Sequence, residues 1–229
     1  MINEPTPIRP ALFERLRRDP DIIALIEKAD KVLRTVGYTD HGRRHVTLVA
    51  VNAARLLEQL GYDRHTCDLA SVAALLHDVG NLAGRANHAS VGAFLAYQLL
   101  VERGVAVGDA ADVMAAVANH DETEGGVPVN AISAALIIAD KADIHRSRVR
   151  TPDSADYDIH DRVNHAVTKA DLRFDPEKRL IALDLQVDTS DVSPEQVADL
   201  FANRFDLSRA AARFLGCEYV VEANGKPIR

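Results

Sequence analysis

The stretch Val72-Ala73-Ala74-Leu75-Leu76-His77-Asp78-Val79-Gly80-Asn81 decides the reading of the chain, because an apolar helical run ends there in a histidine and a carboxylate side by side. Val72, Leu76 and Val79 fall three to four residues apart and mark a buried helix face. Gly80 is the residue type expected just past a helix C-terminus, since glycine takes the left-handed conformation without penalty. That reading puts His77 and Asp78 in the last turn, at the negative end of the helix dipole, where a buried carboxylate needs a cation. A metal ion would resolve the conflict.

The remaining candidate ligands, His45, His88, His120 and Asp140, stand at intervals that suit a helical bundle closing over this pair. Any one histidine on an apolar face reads first as a core residue. The ordered set reads differently. His45-Val46-Thr47-Leu48-Val49, His77-Asp78-Val79-Gly80-Asn81, Asn87-His88-Ala89-Ser90-Val91-Gly92-Ala93, Asn119-His120-Asp121-Glu122 and Ala139-Asp140-Lys141 together resemble the HD superfamily of metal-dependent phosphohydrolases, over residues 35–150.

The resemblance implies that His45, the His77-Asp78 doublet and Asp140 bind a metal ion, and that His88 and His120 bind a second, with Asp78 as the natural bridge. Some two-metal subfamilies carry two adjacent histidines where this chain has Asn119-His120, so one ion and two ions per chain both remain open. With imidazoles present and thiolates absent, the donors favour Mn, Fe, Co, Ni or Zn over Mg or Ca. The implied reaction is hydrolysis of a phosphate ester, a nucleotide or another small phosphorylated metabolite, by metal-activated water, without a serine or cysteine nucleophile. His77, Asp78 and Lys141 are its catalytic candidates; Arg85, His41, His145 and Arg148 are its substrate-binding candidates. Two other classes stay in view: a di-iron oxygenase of HD type, and a metal-stabilised signalling or binding module without turnover.

Length and composition set the frame. The 229 residues suffice for a sizeable core, and 47% hydrophobic content with no tryptophan points to Ala, Leu and Val packing between helices. A net charge of −7 lacks the basic balance of a general nucleic-acid coat. Cys67 and Cys217 are far apart and outside any CxxC spacing, which reads as two buried free thiols and a cytoplasmic protein. No apolar run approaches the ~18 residues of a membrane span. The partner expected is a small anionic phosphorylated substrate.

Along the chain, residues 1–9 read as a loose lead-in, and two helices separated by Pro20-Asp21 follow. A helix over His41 to Leu60 points His45 inward beside Val49, with His41 one turn earlier as a substrate contact or a helix cap. Further helices are expected over Asp63 to Val79, from His88 to Gly104, over Asp109 to Ala118, and from Asn130 to about Val149. The last would put Lys141, His145 and Arg148 on one stripe beside Asp140.

After Thr151 the pattern changes. Thr168 to Phe174 and Leu183 to Val187 alternate in polarity, with a hairpin turn at Asp175-Pro176-Glu177-Lys178 between them. A capping box at Ser193 and Gln196 opens one helix ending at Gly216, and Cys217 to Val221 makes a third strand. The fold class is therefore mainly α: an HD-type helical bundle over 1–150, then a small C-terminal α+β (β-β-α-β) unit over 151–229. That unit is free to serve homo-oligomerisation, ligand sensing or covering of the active site.

Overall fold

The computed structural model describes residues 11–151 and 153–228, and the lead-in read over residues 1–9 lies outside them. The first part of the chain is helical: α1 (Leu12–Leu16), α2 (Pro20–Thr35), α3 (Arg43–Gln59), α4 (Arg64–Leu76), α5 (His88–Glu102), α6 (Val107–Ala118) and α7 (Ala131–Lys141). The second part adds α8 (Ile159–Ala166), β1 (Val167–Asp175), β2 (Leu180–Val187), α9 (Pro194–Leu200), α10 (Ala202–Phe214), β3 (Glu218–Ala223) and β4 (Lys226–Ile228). No strand precedes Val167 among the described residues, so alternating polarity marks the change of architecture correctly.

Two helices are enclosed by the rest. Every residue of α4 from Leu69 to Leu76 is buried, as is every residue of α7 from Ile132 to Lys141. A helix apolar all round belongs inside a protein, and these two pack on each other and on α3 and α6. Asp63 caps α4 by accepting from Thr66 N–H, and Asn130 with Ser133 forms a capping box on α7. Both helices therefore start at the surface and deliver their C-terminal ends, carrying His77, Asp78 and Asp140, to the interior.

In the second part, β1 and β2 form the expected antiparallel hairpin, and β3 lies parallel to β2 after the α9–α10 crossover. Helix α10 packs on β3 with one side and on α7 with the other, so buried apolar residues make a continuous core across both parts of the chain. Helix α8 and strand β4 carry too few apolar residues to stand out in the sequence. The helix opened by the Ser193 capping box is interrupted at Phe201, where α9 gives way to α10.

Several expected helix limits are corrected by tertiary contacts. The helix predicted to run from Asn130 to Val149 stops at Lys141, because Asp143 turns to accept from His45 Nδ1 and Arg44 while Arg148 donates back to the Asp143 carbonyl. Lys141, His145 and Arg148 therefore share no stripe. The helix expected from His41 begins only at Arg43 behind Gly42, and the capping alternative for His41 is not seen.

Gly80 is the most instructive correction. It is not a left-handed helix stop but part of a 3-10 turn, Val79–Ala83, that follows α4. A Cβ on Gly80 would stand 2.0 Å from the His88 carbonyl oxygen and 2.4 Å from Gly92 N. Glycine is needed there because the backbone after Asp78 touches the backbone of α5.

This gives a paired expectation. Gly80→Ala collides with backbone rather than with a movable side chain, so its cost should reach or exceed the upper part of the ~1–3 kcal/mol range of overpacking. Gly108→Ala, in α6 with nothing within 4 Å of the added carbon, should be neutral or stabilising by up to about 1 kcal/mol. Urea unfolding midpoints measure both; equal midpoints for the two variants would refute the close approach.

Candidate metal centre

Four imidazoles and two carboxylates meet where α3, α4, α5, α7 and the turn after α6 converge. His45 comes from the inward face of α3, His77 is the C-cap of α4, Asp78 follows it, and His88 opens α5. His120 follows α6, and Asp140 sits in the last turn of α7. All six are 0–5% exposed. Their ligating atoms form three overlapping groups, His45-His77-Asp78, His77-His120-Asp140 and Asp78-His88-His120, each compact enough to share an ion.

The hydrogen bonds fix which atoms face inward. Nδ1 of His77 donates to the Ala74 carbonyl at 2.7 Å, and Nδ1 of His120 to the Val117 carbonyl at 2.7 Å. Nδ1 of His45 donates to Asp143 Oδ2 at 2.7 Å, and Nδ1 of His88 to Glu124 Oε1 at 2.7 Å. All four partners are acceptors, so each Nδ1 carries a proton and Nε2 is the atom turned to the cluster. Those nitrogens converge: Nε2 of His45 and His77 are 3.3 Å apart, and Nε2 of His88 and His120 are 3.3 Å apart. Orienting a ligand imidazole through its other nitrogen is how protein metal sites are normally built.

The carboxylates complete the case for a cation. Asp78 Oδ1 accepts from Asn81 Nδ2 at 2.8 Å, whereas its buried Oδ2 has no hydrogen-bond partner and lies 3.2 Å from His77 Nε2 and 3.6 Å from His45 Nε2. Asp140 Oδ1 lies 3.3 Å from His45 Nε2, and Lys141 Nζ holds its other oxygen at 2.8 Å. Burial works against charge on these groups, yet His77 holds Asp78 well below the usual carboxylate range, as Lys141 and the histidines do for Asp140. Burial likewise opposes a proton on His77, but Asp78 and Asp140 raise it to about 10. The residues present fit a divalent ion of the transition series.

The substrate-binding candidates divide. Arg85 Nη1 approaches His88 Nε2 to 3.1 Å and Nη2 donates to Asp121 Oδ2 at 2.7 Å, which sets a guanidinium on the His88 side of Asp78. His41 meets the His45 ring edge-on at a centroid distance of 5.5 Å, and burial followed by the nearby Arg148 charge pushes it well below the ordinary histidine value. Both border a cavity of about 570 Å³, as does the buried Arg148. His145 does not reach it. Its Nε2 donates to the Thr168 carbonyl at 3.0 Å, and it lines a separate cavity of about 280 Å³. Lys141 is brought to the centre, but as the buried partner of Asp140 and of Glu122 Oε2, at 2.6 Å.

Asp143, Glu122 and Glu124 carry parts of this arrangement that the sequence reading did not assign. Asp143 is tied to His45 Nδ1 and to Arg44 Nη2 at 2.8 Å. Its signal was an acidic residue three positions after Asp140, hidden by the assumption of an unbroken helix.

Buried helices that turn histidines and aspartates toward one point define a helical metal-binding domain. Residues 43–146, just under half of the chain, match the family described as HD domain. An uncharacterized protein of Methanocaldococcus jannaschii is 26% identical, with 62% of this chain aligned; the match spans 63% of that relative. A structure described as a predicted HD superfamily hydrolase from an uncultured Thermotogales bacterium is 26% identical, with 58% of this chain and 74% of that one covered, at a TM-score of 0.45.

Two substitutions separate ligands from their supports. Asp78→Ala should remove more metal than any other single change, because Asp78 belongs to two of the three groups and its Oδ2 has no other partner. Asp143→Asn, which leaves every inward atom in place, should weaken metal affinity about 10- to 100-fold by loosening His45. Elemental analysis and metal titration of folded protein read both; full metal content in Asp78→Ala would refute the assignment.

Proposed function

We propose that the chain is a metal-dependent phosphohydrolase acting on a phosphate ester of a small metabolite, a nucleotide being one such class. One observation carries this reading: Arg85 and His41, which contact His88 and His45 of the cluster, also line a 570 Å³ cavity that Arg148 and Arg204 border as well. Ligand cavities commonly span ~300–1,000 Å³. The three guanidiniums, which share the lining with Glu122, Asp158 and Asp161, put fixed positive charge near the cluster, and that suits a phosphate better than a neutral substrate.

The first ion would be held by His45, His77, Asp78 and Asp140, and a second by His88 and His120 with Asp78 between. An ion bound there polarises phosphate oxygens and brings the pKa of a water ligand toward ~7. The protein's own groups do the positioning. Asp143 and the Ala74 carbonyl fix the imidazoles of His45 and His77, and Lys141 fixes Asp140. Arg85, at the edge of cavity and cluster, faces the phosphate with the same guanidinium that Asp121 steadies. His41 donates through Nδ1 to the Thr39 carbonyl at 2.7 Å and is kept neutral by burial and Arg148, so its Nε2 is left to orient the substrate as a hydrogen-bond acceptor. Tyr38 and Phe201 offer aromatic surface for a leaving group in the same cavity.

The test combines metal counting with a panel of phosphate esters. His88→Ala and His120→Ala should each lower turnover strongly while retaining about one metal per chain. If the protein works with one ion, the fully loaded wild type holds one, and these variants lose activity by the ~100- to 10,000-fold typical of proton-transferring groups. Oxygen-dependent turnover without phosphate release would end the hydrolase reading and favour the oxygenase.

A further inference from the structure

We infer that Arg204, on α10 of the C-terminal unit, is a substrate-binding residue that grips phosphate oxygens, so that the unit completes the site. The inference rests on the hydrolase reading for the identity of the ligand, but not for the existence of an anion contact.

Three guanidiniums border the large cavity, and two of them are engaged. Arg85 donates to Asp121 and contacts His88, and Arg148 donates to the carbonyls of Asp143 and Asp40 at 3.0 and 3.1 Å. Arg204 differs. Among the described residues its guanidinium donates no hydrogen bond; its nearest carboxylate, Glu122 Oε1, is 3.6 Å from Nε. Glu122 already has a closer partner, Lys141, at 2.6 Å. The side chain is 19% exposed, and its Cζ lies 5.3 Å from the centre of the Phe201 ring. An aromatic face orients the guanidinium plane without consuming its donors.

The position follows from the same contacts. Arg204 adjoins Glu122, Glu122 adjoins Lys141, and Lys141 holds Asp140 of the metal cluster. A mostly enclosed, flat, five-donor cation within a few side chains of that cluster matches the oxygens of a phosphate, which guanidinium binds in bidentate fashion. The phosphate is either the reacting one or a second one on the leaving group. The chemistry is the same, and the experiment separates the two.

Inorganic phosphate and pyrophosphate are titrated calorimetrically into full-length, manganese-loaded wild type, Arg204→Ala and Arg204→Lys, with metal content and thermal unfolding measured alongside. Arg204→Ala should bind phosphate about 10- to 100-fold more weakly with metal content retained, and Arg204→Lys should recover part of the loss, having charge without the fork. Weakening toward both probes assigns Arg204 to the reacting phosphate; weakening toward pyrophosphate alone assigns it to a second one. In turnover, the variant should raise KM more than it lowers kcat. If the alanine variant fails to fold, the lysine variant still reports, since only the fork is lost. Wild-type affinity of folded Arg204→Ala for both probes, or a loss that merely tracks lost metal or a lowered unfolding temperature, overturns the assignment. Wild type that binds phosphate through Arg204 yet hydrolyses no ester would instead sink the hydrolase reading alone.

Discussion

Two carboxylates, Asp78 and Asp140, are buried at the C-terminal ends of two enclosed helices, where the helix dipole adds to their negative charge. Such groups are destabilising in a protein interior unless they are paired and hydrogen-bonded. Much of the surrounding structure answers that requirement. Six carboxylates, Asp78, Asp121, Glu122, Glu124, Asp140 and Asp143, lie in one network with five fixed cations, Arg44, Arg85, Lys141, Arg148 and Arg204. Through Arg44 the network runs on to Asp40, Arg150 and Asp30, so carboxylates outnumber fixed cations, and a proton on His77 offsets part of the excess in the protein alone. A divalent ion bound at the cluster would offset it further.

Close helix packing is what lets the six ligands meet. Ala73 and Ala74 on α4, Ala134, Ala135 and Ala139 on α7, and Ala50 and Ala53 on α3 are all buried, and their small side chains bring the backbones together. Gly80 and Gly92 take the same device to its limit, backbone against backbone, between the turn after Asp78 and α5. A methyl group at Gly80 would separate His77 and Asp78 from His88, so packing and ligand geometry are one constraint.

The parts of this arrangement that depend on local pattern were legible in the sequence. The buried stripe before His77, the capping box at Ser193, and the change to alternating polarity after Thr151 each follow from residues close in the chain. The readings that failed depended on distant ones. Nothing near Lys141 signals that its helix must end; the cause is His45 and Arg44, about a hundred positions earlier, drawing Asp143 aside. Gly80 fits a helix stop and a close backbone approach equally well in one dimension. Arg204 carried no signal at all, since its relevance arises only because α10 is laid against α7.

That placement brings residues of the C-terminal unit into the lining of the large cavity. Helix α10 buries Phe205, Leu207, Ala211 and Ala212, and it contacts both the sheet and α7. It is therefore a fixed wall, and the residues it turns to the cavity, with Phe201 at its N-terminal end, hold their positions as firmly as the core does. The first part of the chain lines the cavity with His41 and Arg85, outside the regular helices but anchored by the Thr39 carbonyl and by Asp121. On the proposed reading, such a cavity separates two tasks: the bundle would set where the metal and the reacting bond lie, and the second part would set which groups beyond that bond are accommodated. Changes on α10 would then alter ligand preference while the buried histidine and aspartate cluster keeps its geometry, because no atom of that cluster is supplied by α10.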